Sequence, residues 1–561
     1  MGTLAIGRCR GQAVMLPKGN RDTHMQVIGS SGSGKSFFLE HLIRRDIVSG
    51  RGVCVIDPHG ELYDNLVNWM IRSDVRTHQL HLINLSDSDH AVGFNPLCVE
   101  DRSPMRRVSD MITAFERVWG SDMSETPRLS KCLRMTLYPL AIHKLSLLEA
   151  NIFTAHGNRD LRKPLIDALP DTFEGNAVRE EWEEFDGYGA REFREYFEST
   201  RTRIFEFISA PSVAPIIGQT ENVLSFKKCM DSGHVVLVNL KADKDVHKKE
   251  AQVLGSLLTA DMYASARQRD VAKAKSEPFY AYIDECADYI NEDIAKALDE
   301  TRKFGLHYVL SHQRLNQLRN ISQDTYDAVA VNAQTKVIFR VDEDETAEVL
   351  AKQLFRTSFD LEIPKEIMNR PVAVGQEIID LYGSSTTEGY VESRGESQGV
   401  SSGDSVATSV FVPLDDAERG ITNVDGSTSG SSTGSSHSTS IISTYSESTS
   451  QSLRTIYEVM PTVLYSIEEQ MHLAITAIRN LPPRTAFVKL AGMVPIRIET
   501  IDVNQREPMR LQAVRFVQKA HEKSLFSSRT LEVTEQVRQR KKDIFGFSPI
   551  EDDYDPDSFM Q

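Results

Sequence analysis

Between residues 29 and 36 the chain reads Gly29-Ser30-Ser31-Gly32-Ser33-Gly34-Lys35-Ser36, a G-x-x-x-x-G-K-S spacing whose chemistry is the binding of a polyphosphate. Gly29, Gly32 and Gly34 lack Cβ atoms, so the backbone can curl and aim successive N–H groups, those of Ser30, Ser31 and Ser33 among them, at a β-phosphate. Lys35 is expected to reach the β- and γ-phosphate oxygens. Ser36, on the first turn of the helix FFLEHLIRRDIV, is expected to bring its hydroxyl to Mg²⁺, and the helix start adds partial positive charge. A flexible Gly/Ser linker shares this composition, but a linker would not follow the apolar strand Met25-Gln26-Val27-Ile28 and precede an amphipathic helix. The expected cofactors are ATP and Mg²⁺.

A phosphate loop needs a carboxylate partner, and two strand ends offer one: Asp57 in VCVIDP and the Asp284-Glu285 pair in FYAYIDE. The pair divides the work as hydrolysis requires, with Asp284 holding the Mg²⁺ water shell and Glu285 polarising the water that attacks the γ-phosphorus. A lone Asp57 does half of this. With His59 it either lines the nucleotide site or caps the helix that follows, and both readings stand. The sequence offers no zinc spacing, HExxH, nucleophile elbow or nuclease-like carboxylate cluster, so ATP hydrolysis is the chemistry it supports.

The elements that must position these residues follow a βα rhythm. GVCVID, QLHLINLS, GHVVLVNLK, EPFYAYIDE, GLHYVLSHQ and TKVIFRV are apolar runs of strand length separated by helical stretches, which predicts a RecA-like α/β core. Its mostly parallel sheet is flanked by helices, with ligands at the carboxyl ends of the strands. From 103 to 216 the β signal disappears and the spacing is helical, so the core is expected as two halves, 1–102 and 217–383, split by an inserted all-helical domain at 103–216. Residues 384–452 are rich in Ser, Thr and Gly. Disorder is the default expectation there and a long two-stranded ribbon, suggested by TSIISTYSESTS, is the alternative. Residues 453–505 are expected to form a helix and a hairpin returning to the sheet, and 506–561 a C-terminal helix and acidic tail.

A chain of 561 residues is long enough for several domains. The six cysteines are scattered without C-x-x-C pairing, as reduced core thiols are, and no apolar run is long enough to cross a bilayer. A cytoplasmic protein is expected, one that partners could recruit to the inner face of the membrane. A net charge of −16 argues against a surface that coats nucleic acid throughout, though a local basic pore or groove is compatible with it.

The order of GSSGSGKS, IDPHGEL, GFNPL, GQTENVLSF, GHVVLVNL, YIDECADY and ETRKFGLHYVLSHQ resembles the HerA/FtsK superfamily of ring ATPases, most of all the TraG/TraD-type coupling proteins of conjugation and type IV secretion. Those coupling proteins also carry a helical domain inserted in the motor core. Two departures stand out. Coupling proteins usually begin with transmembrane helices and HerA proteins with a small β-barrel, and the short lead before the phosphate loop resembles neither. The resemblance implies a homo-oligomeric ring, a hexamer, that moves DNA and works with relaxase, secretion-channel or nuclease proteins. It also implies that Arg302 in ETRKFG, with Lys303 the runner-up, reaches a neighbouring subunit's nucleotide, and that Gln313 senses the γ-phosphate. Basic segments near Arg201, Arg267 and Arg314 are candidates for DNA contact, and solvated helix faces are the plainer reading of each. Two other functions fit the same motifs: a HerA-like translocase working with a nuclease in DNA processing or phage defence, and an ATP-switched adaptor for a protein partner.

Overall fold

The computed structural model describes residues 3–73, 79–98, 103–119, 127–242, 246–290, 293–355, 364–367, 372–391, 399–410, 421–432, 440–458, 461–504, 508 and 510–545. It divides into two units, Met1–Phe359 with Glu468–Gln561, and Asp360–Ile467.

The first unit is built on an eleven-stranded sheet. Its strands are β1 (Thr3–Cys9), β2 (Gln12–Pro17), β3 (Met25–Ile28), β4 (Gly52–Asp57), β5 (Leu80–Asn84), β7 (Val235–Asn239), β8 (Phe279–Ile283), β9 (Leu306–His312), β10 (Thr335–Ile338), β17 (Thr485–Lys489) and β18 (Ile496–Glu499). The short β6 (His90–Val92) pairs outside it with β19 (Ser527–Arg529). In space the order is β2-β1-β18-β17-β10-β3-β9-β8-β4-β7-β5, and every pair from β10 to β5 is parallel. The hairpins β1–β2 and β17–β18 extend one side of the sheet in antiparallel fashion.

Strands β3, β4, β7, β8 and β9 are buried along their whole length, because a parallel sheet carries helices on both faces. The period of two in a strand then separates two cores. Val53, Val55, Val235, Leu237, Tyr280 and Tyr282 face one, while Cys54, Ile56, Val236, Val238, Ala281 and Ile283 face the other.

The first face is covered by α1 (Lys35–Val48), which buries Phe38, Leu39, Leu42 and Ile43 at helical spacing, and by α2 (Glu61–Arg72). The second is covered by the helices between β6 and β7: α3 (Pro104–Trp119), α4 (Pro127–Ile142), α5 (Phe173–Asp186), α6 (Ala190–Ile208) and α7 (Phe226–Ser232). The long α8 (Lys248–Ala266) and α9 (Asp293–Glu300) complete it. Within the helical stretch Trp182 stacks on Phe197 at 5.6 Å between ring centres, and Phe197 on Phe193 at 4.5 Å. This aromatic nucleus is continuous with the second core, so the helices of 103–216 belong to the same unit as the sheet. After the second unit the chain returns through α10 (Ile467–Arg479), then β17–β18, α11 (Arg510–Lys523), β19 and α12 (Thr530–Phe545). The acidic tail beyond lies outside the described residues.

The second unit contains antiparallel strand pairs. β11 (Pro364–Ile367) pairs with β16 (Pro461–Leu464), β12 (Val372–Val391) with β15 (Ser440–Glu458), and β13 (Gly399–Val410) with β14 (Ile421–Ser432). The described residues of the Ser-rich segment, 384–391, 399–410, 421–432 and 440–452, lie in these strand pairs. The β12–β15 register runs from Val372↔Glu458 to Val391↔Ser440, so main-chain pairing organises a stretch with few large apolar residues.

Candidate nucleotide-binding site

Strand β3 ends at Ile28, and α1 begins at Lys35 after a loop of six residues. Gly32 and Gly34 hold φ of 71° and 102°, conformations that L side chains rarely adopt. A Cβ at Gly29 would lie 2.6 Å from Phe339 Cβ, and one at Gly34 would lie 2.9 Å from Arg484 Cα. All three glycines of the motif are therefore required, two by conformation and Gly29 by close approach. The loop is tied on both flanks: Ser30 N–H donates to the Arg340 carbonyl at 2.8 Å, Ser30 Oγ accepts from Asp342 N–H at 3.1 Å, and Arg484 N–H donates to the Ser33 carbonyl at 2.8 Å. The first turn of α1 holds no acidic residue, so the positive end of its dipole is not neutralised from within. Ser33 Oγ is buried without a hydrogen-bond partner among the described residues. These features fit a bound polyphosphate, with Ser36 exposed at the helix start beside it.

Facing the loop, β8 delivers Asp284 and Glu285. Glu285 adopts φ 43° and ψ 49°, a left-handed conformation that costs a non-glycine residue about 1–3 kcal/mol and turns the chain abruptly into a short 3₁₀ turn. Its Oε1 lies 3.4 Å from Lys35 Nζ and accepts a hydrogen bond from Gln313 Nε2 at 2.8 Å. Asp284 Oδ1 accepts from Ser311 Oγ at 2.7 Å and from the Glu285 N–H at 3.1 Å. Lys35, Asp284, Glu285 and Ser311 are all buried, so these contacts form at low dielectric, where they are stronger than in water. Below them His312 is held neutral: burial pushes its imidazole down to about 3, and the charges of Lys35 and Lys336 act in the same direction. Its Nε2 accepts from Gln26 Nε2 at 3.0 Å while its Nδ1 donates to the Arg314 carbonyl at 3.0 Å.

The structure thus brings Gly29–Ser36, Asp284, Glu285 and Gln313 together. The two oxygens of Asp57 accept the N–H groups of His59 and Tyr63, each at 2.9 Å, the second in the first turn of α2, whose N-cap residue is Gly60, and burial raises its pKa. Arg302 is not brought to this site. It lies exposed on the turn before β9, near His24, whereas Ser311 and His312 close the other end of that seven-residue strand. At about 3.3 Å per residue the two ends are roughly 20 Å apart. Of the basic candidates, Arg201 is exposed on α6, Arg314 is exposed beside Gln313, and Arg267 pairs with Glu300 at 3.3 Å.

Two contributors were not among the residues singled out from the sequence. Ser311 orients Asp284 from the adjacent strand, and Arg484 supports the loop through its backbone. The Pro482-Pro483 pair before Arg484 marks a rigid turn and was the available signal for the second.

Two family models match the chain. One describes the central domain of the helicase HerA and covers residues 13–117; the other describes the DNA-binding domain of type IV secretion-system coupling proteins and covers residues 190–364. The first includes the phosphate loop and the second includes Asp284, Glu285 and Gln313. Over these residues the chain is similar to HerA and to the coupling proteins of type IV secretion. No curated protein matches it. Among solved structures, the bacterial conjugative coupling protein TrwBdeltaN70 in its unbound monoclinic form is similar at 16% identity with a TM-score of 0.50, over 90% of this chain and 91% of that one. The trigonal form of TrwBdeltaN70 with sulphate is similar at 15% identity, with a TM-score of 0.50 over 89% of each chain. These likenesses extend the coupling-protein fold across most of the chain. Among the described residues no helix is long and apolar enough to cross a membrane.

Proposed function

We propose that this chain is a Mg²⁺-dependent ATPase that assembles into a ring, a hexamer by the pattern of its superfamily, and drives DNA through it as conjugative coupling proteins do. The observation that carries the reading is the shared Glu285 Oε1, contacted by both Lys35 of the phosphate loop and Gln313 of the neighbouring strand. A carboxylate held between a phosphate-binding lysine and a polar sensor is placed to act on water beside a γ-phosphate.

When bound, Mg²⁺·ATP supplies the scissile phosphoanhydride and the cation that neutralises its developing charge. Gly29 to Gly34 present backbone N–H groups to the phosphates, and Lys35 Nζ swings from Glu285 to the phosphate oxygens on its flexible stem. Ser36 Oγ and Asp284 would hold the cation's shell, with Ser311 Oγ fixing the carboxylate. Glu285 Oε1 accepts the proton of the attacking water, and the Gln313 amide keeps that oxygen oriented. Arg302, at the amino end of β9 and so at the opposite end of that strand from the site, serves the site of the next subunit.

The test compares two variants. Lys35→Ala is expected to weaken nucleotide binding. Glu285→Gln is expected to leave binding intact while turnover falls at least about 10²-fold, the scale of a lost general base. Normal turnover in Glu285→Gln contradicts the assignment.

A further inference from the structure

A second polar cluster lies at the far edge of the sheet. Five strand positions separate β3 from the edge strand β5, roughly 24 Å at about 4.8 Å per strand. Beyond β5 the chain turns through Asp87 into β6, whose His90 lies opposite Arg529 of β19, and α11 brings His521 to the same place. Asp87, His90 and His521 each put one donor atom within 4.8 Å of the other two.

The details of the cluster bear on what it binds. His521 is 4% exposed, and its Nδ1 lies 2.7 Å from Ser527 Oγ. Its Nε2 has no hydrogen-bond partner among the described residues, although it lies 3.3 Å from Asp87 Oδ2. Asp87 Oδ1 already accepts the N–H groups of Asp89 and His90 at 2.9 and 3.1 Å, which leaves Oδ2 as the outward ligand atom. The His90 ring lies almost parallel to that of His521, at 4.6 Å and 7°. A cleft of about 500 Å³ opens beside them, with Glu522 and Glu532 on its wall.

We propose that Asp87 Oδ2, His90 and His521 Nε2 form a binding site for a divalent transition-metal cation of the zinc class, with water from the cleft completing its shell. Ligand bonds of about 2.0–2.1 Å in a tetrahedral ion place neighbouring donors about 3.3 Å apart, which is the Oδ2–Nε2 separation. With Ser527 Oγ, 2.7 Å away, as acceptor of the Nδ1 proton, the tautomer that a metal-ligating imidazole takes, the Nε2 lone pair is available to an ion beside Asp87 Oδ2. Imidazole and carboxylate together suit zinc and its neighbours better than Mg²⁺ or Ca²⁺. Such an ion fastens α11 and β19 to the β5–β6 edge, joining segments more than 400 residues apart.

The test uses the full chain, stripped by chelator and free of nucleotide, titrated with Zn²⁺ against a chromophoric competitor and with Co²⁺ followed by absorption. The wild type is expected to take up one equivalent of Zn²⁺ and to gain thermal stability from it. Its Co²⁺ form is expected to show no thiolate-to-cobalt charge-transfer band. Asp87→Asn, His521→Gln and His90→Gln should each weaken binding at least about tenfold. Circular dichroism checks that each variant is folded, and the half-buried His90 supplies the decisive one if His521→Gln unfolds. The proposal is overturned if the wild type takes up no Zn²⁺ or if all folded variants bind as it does. It also fails if a thiolate band appears and Cys229→Ser abolishes uptake, because that would move the ion to the buried His81, His234 and Cys229 group.

Discussion

Ser311 carries the orientation of Asp284, since a buried carboxylate with one oxygen committed to a hydroxyl at 2.7 Å keeps a defined direction for its remaining lone pairs. Ser311→Ala removes that hydroxyl without adding bulk. The expected outcome is a Mg²⁺ requirement shifted to about 10–100-fold higher concentration, with metal-free nucleotide binding unchanged, as measured by Mg²⁺ titrations of turnover and of nucleotide fluorescence. An unaltered Mg²⁺ dependence would detach Ser311 from the metal side of the site. The carboxylate pair and Lys35 were legible in the sequence because each stands at the end of an apolar strand run or in a fixed loop spacing, whereas Gln313 was implied by the family resemblance. Ser311 was not, because a serine within a strand carries no signal of its own and its partner is 27 residues away on the adjoining strand. Asp57 keeps two readings in the sequence because a strand-end aspartate can cap a helix or line a nucleotide site, and its two backbone N–H partners are consistent with both.

Among the elements, the phosphate loop depends on the turn at Pro482–Arg484 as much as on its own glycines. Gly34 holds φ 102° with the Arg484 backbone against it, so Gly34→Ala combines conformational strain with a clash that no side-chain movement relieves. It is expected to lower thermal stability by more than about 1 kcal/mol and to abolish tight nucleotide binding. Calorimetry and nucleotide titration check the two effects, and an unchanged melting temperature with full binding would show that the loop does not need this geometry. The parallel strands were readable from their length and continuous apolar character, and the β17–β18 hairpin was expected within 453–505. The support from Arg484 was not, because it joins residues about 450 positions apart through backbone atoms that any residue type provides. The Ser-rich segment was ambiguous because its composition lacks the apolar content of a core, while the pairing that organises its described strands is a main-chain property that composition does not record.

At the scale of the whole molecule, the helical stretch 103–216 read as a separate domain because its periodicity changes abruptly. The sheet's second face requires a cover, however, and these helices supply it through one continuous core. The position of Arg302 bears on assembly. The residue stands at the amino end of β9, away from Glu285, and on the proposed reading it serves the site of another subunit. Arg302→Ala is therefore expected to lower turnover while the isolated subunit still binds ATP. Co-assembly with Lys35→Ala subunits into verified mixed rings should restore part of the activity, and no recovery in such rings would remove the trans role. A motor that grips DNA through its phosphates must also show salt-sensitive stimulation, with a log-log slope of about −0.9 for each duplex phosphate neutralised. A chain of net charge −16 can meet this demand if the ring gathers its basic loops around one pore. The most direct measurement is ATP turnover with and without single- and double-stranded DNA at low and near-physiological salt, with the oligomer followed by sedimentation and Glu285→Gln as the inactive control. The account predicts DNA-stimulated turnover that fades as salt rises. Turnover indifferent to every form of DNA while rings are present would contradict the translocase and favour the ATP-switched adaptor.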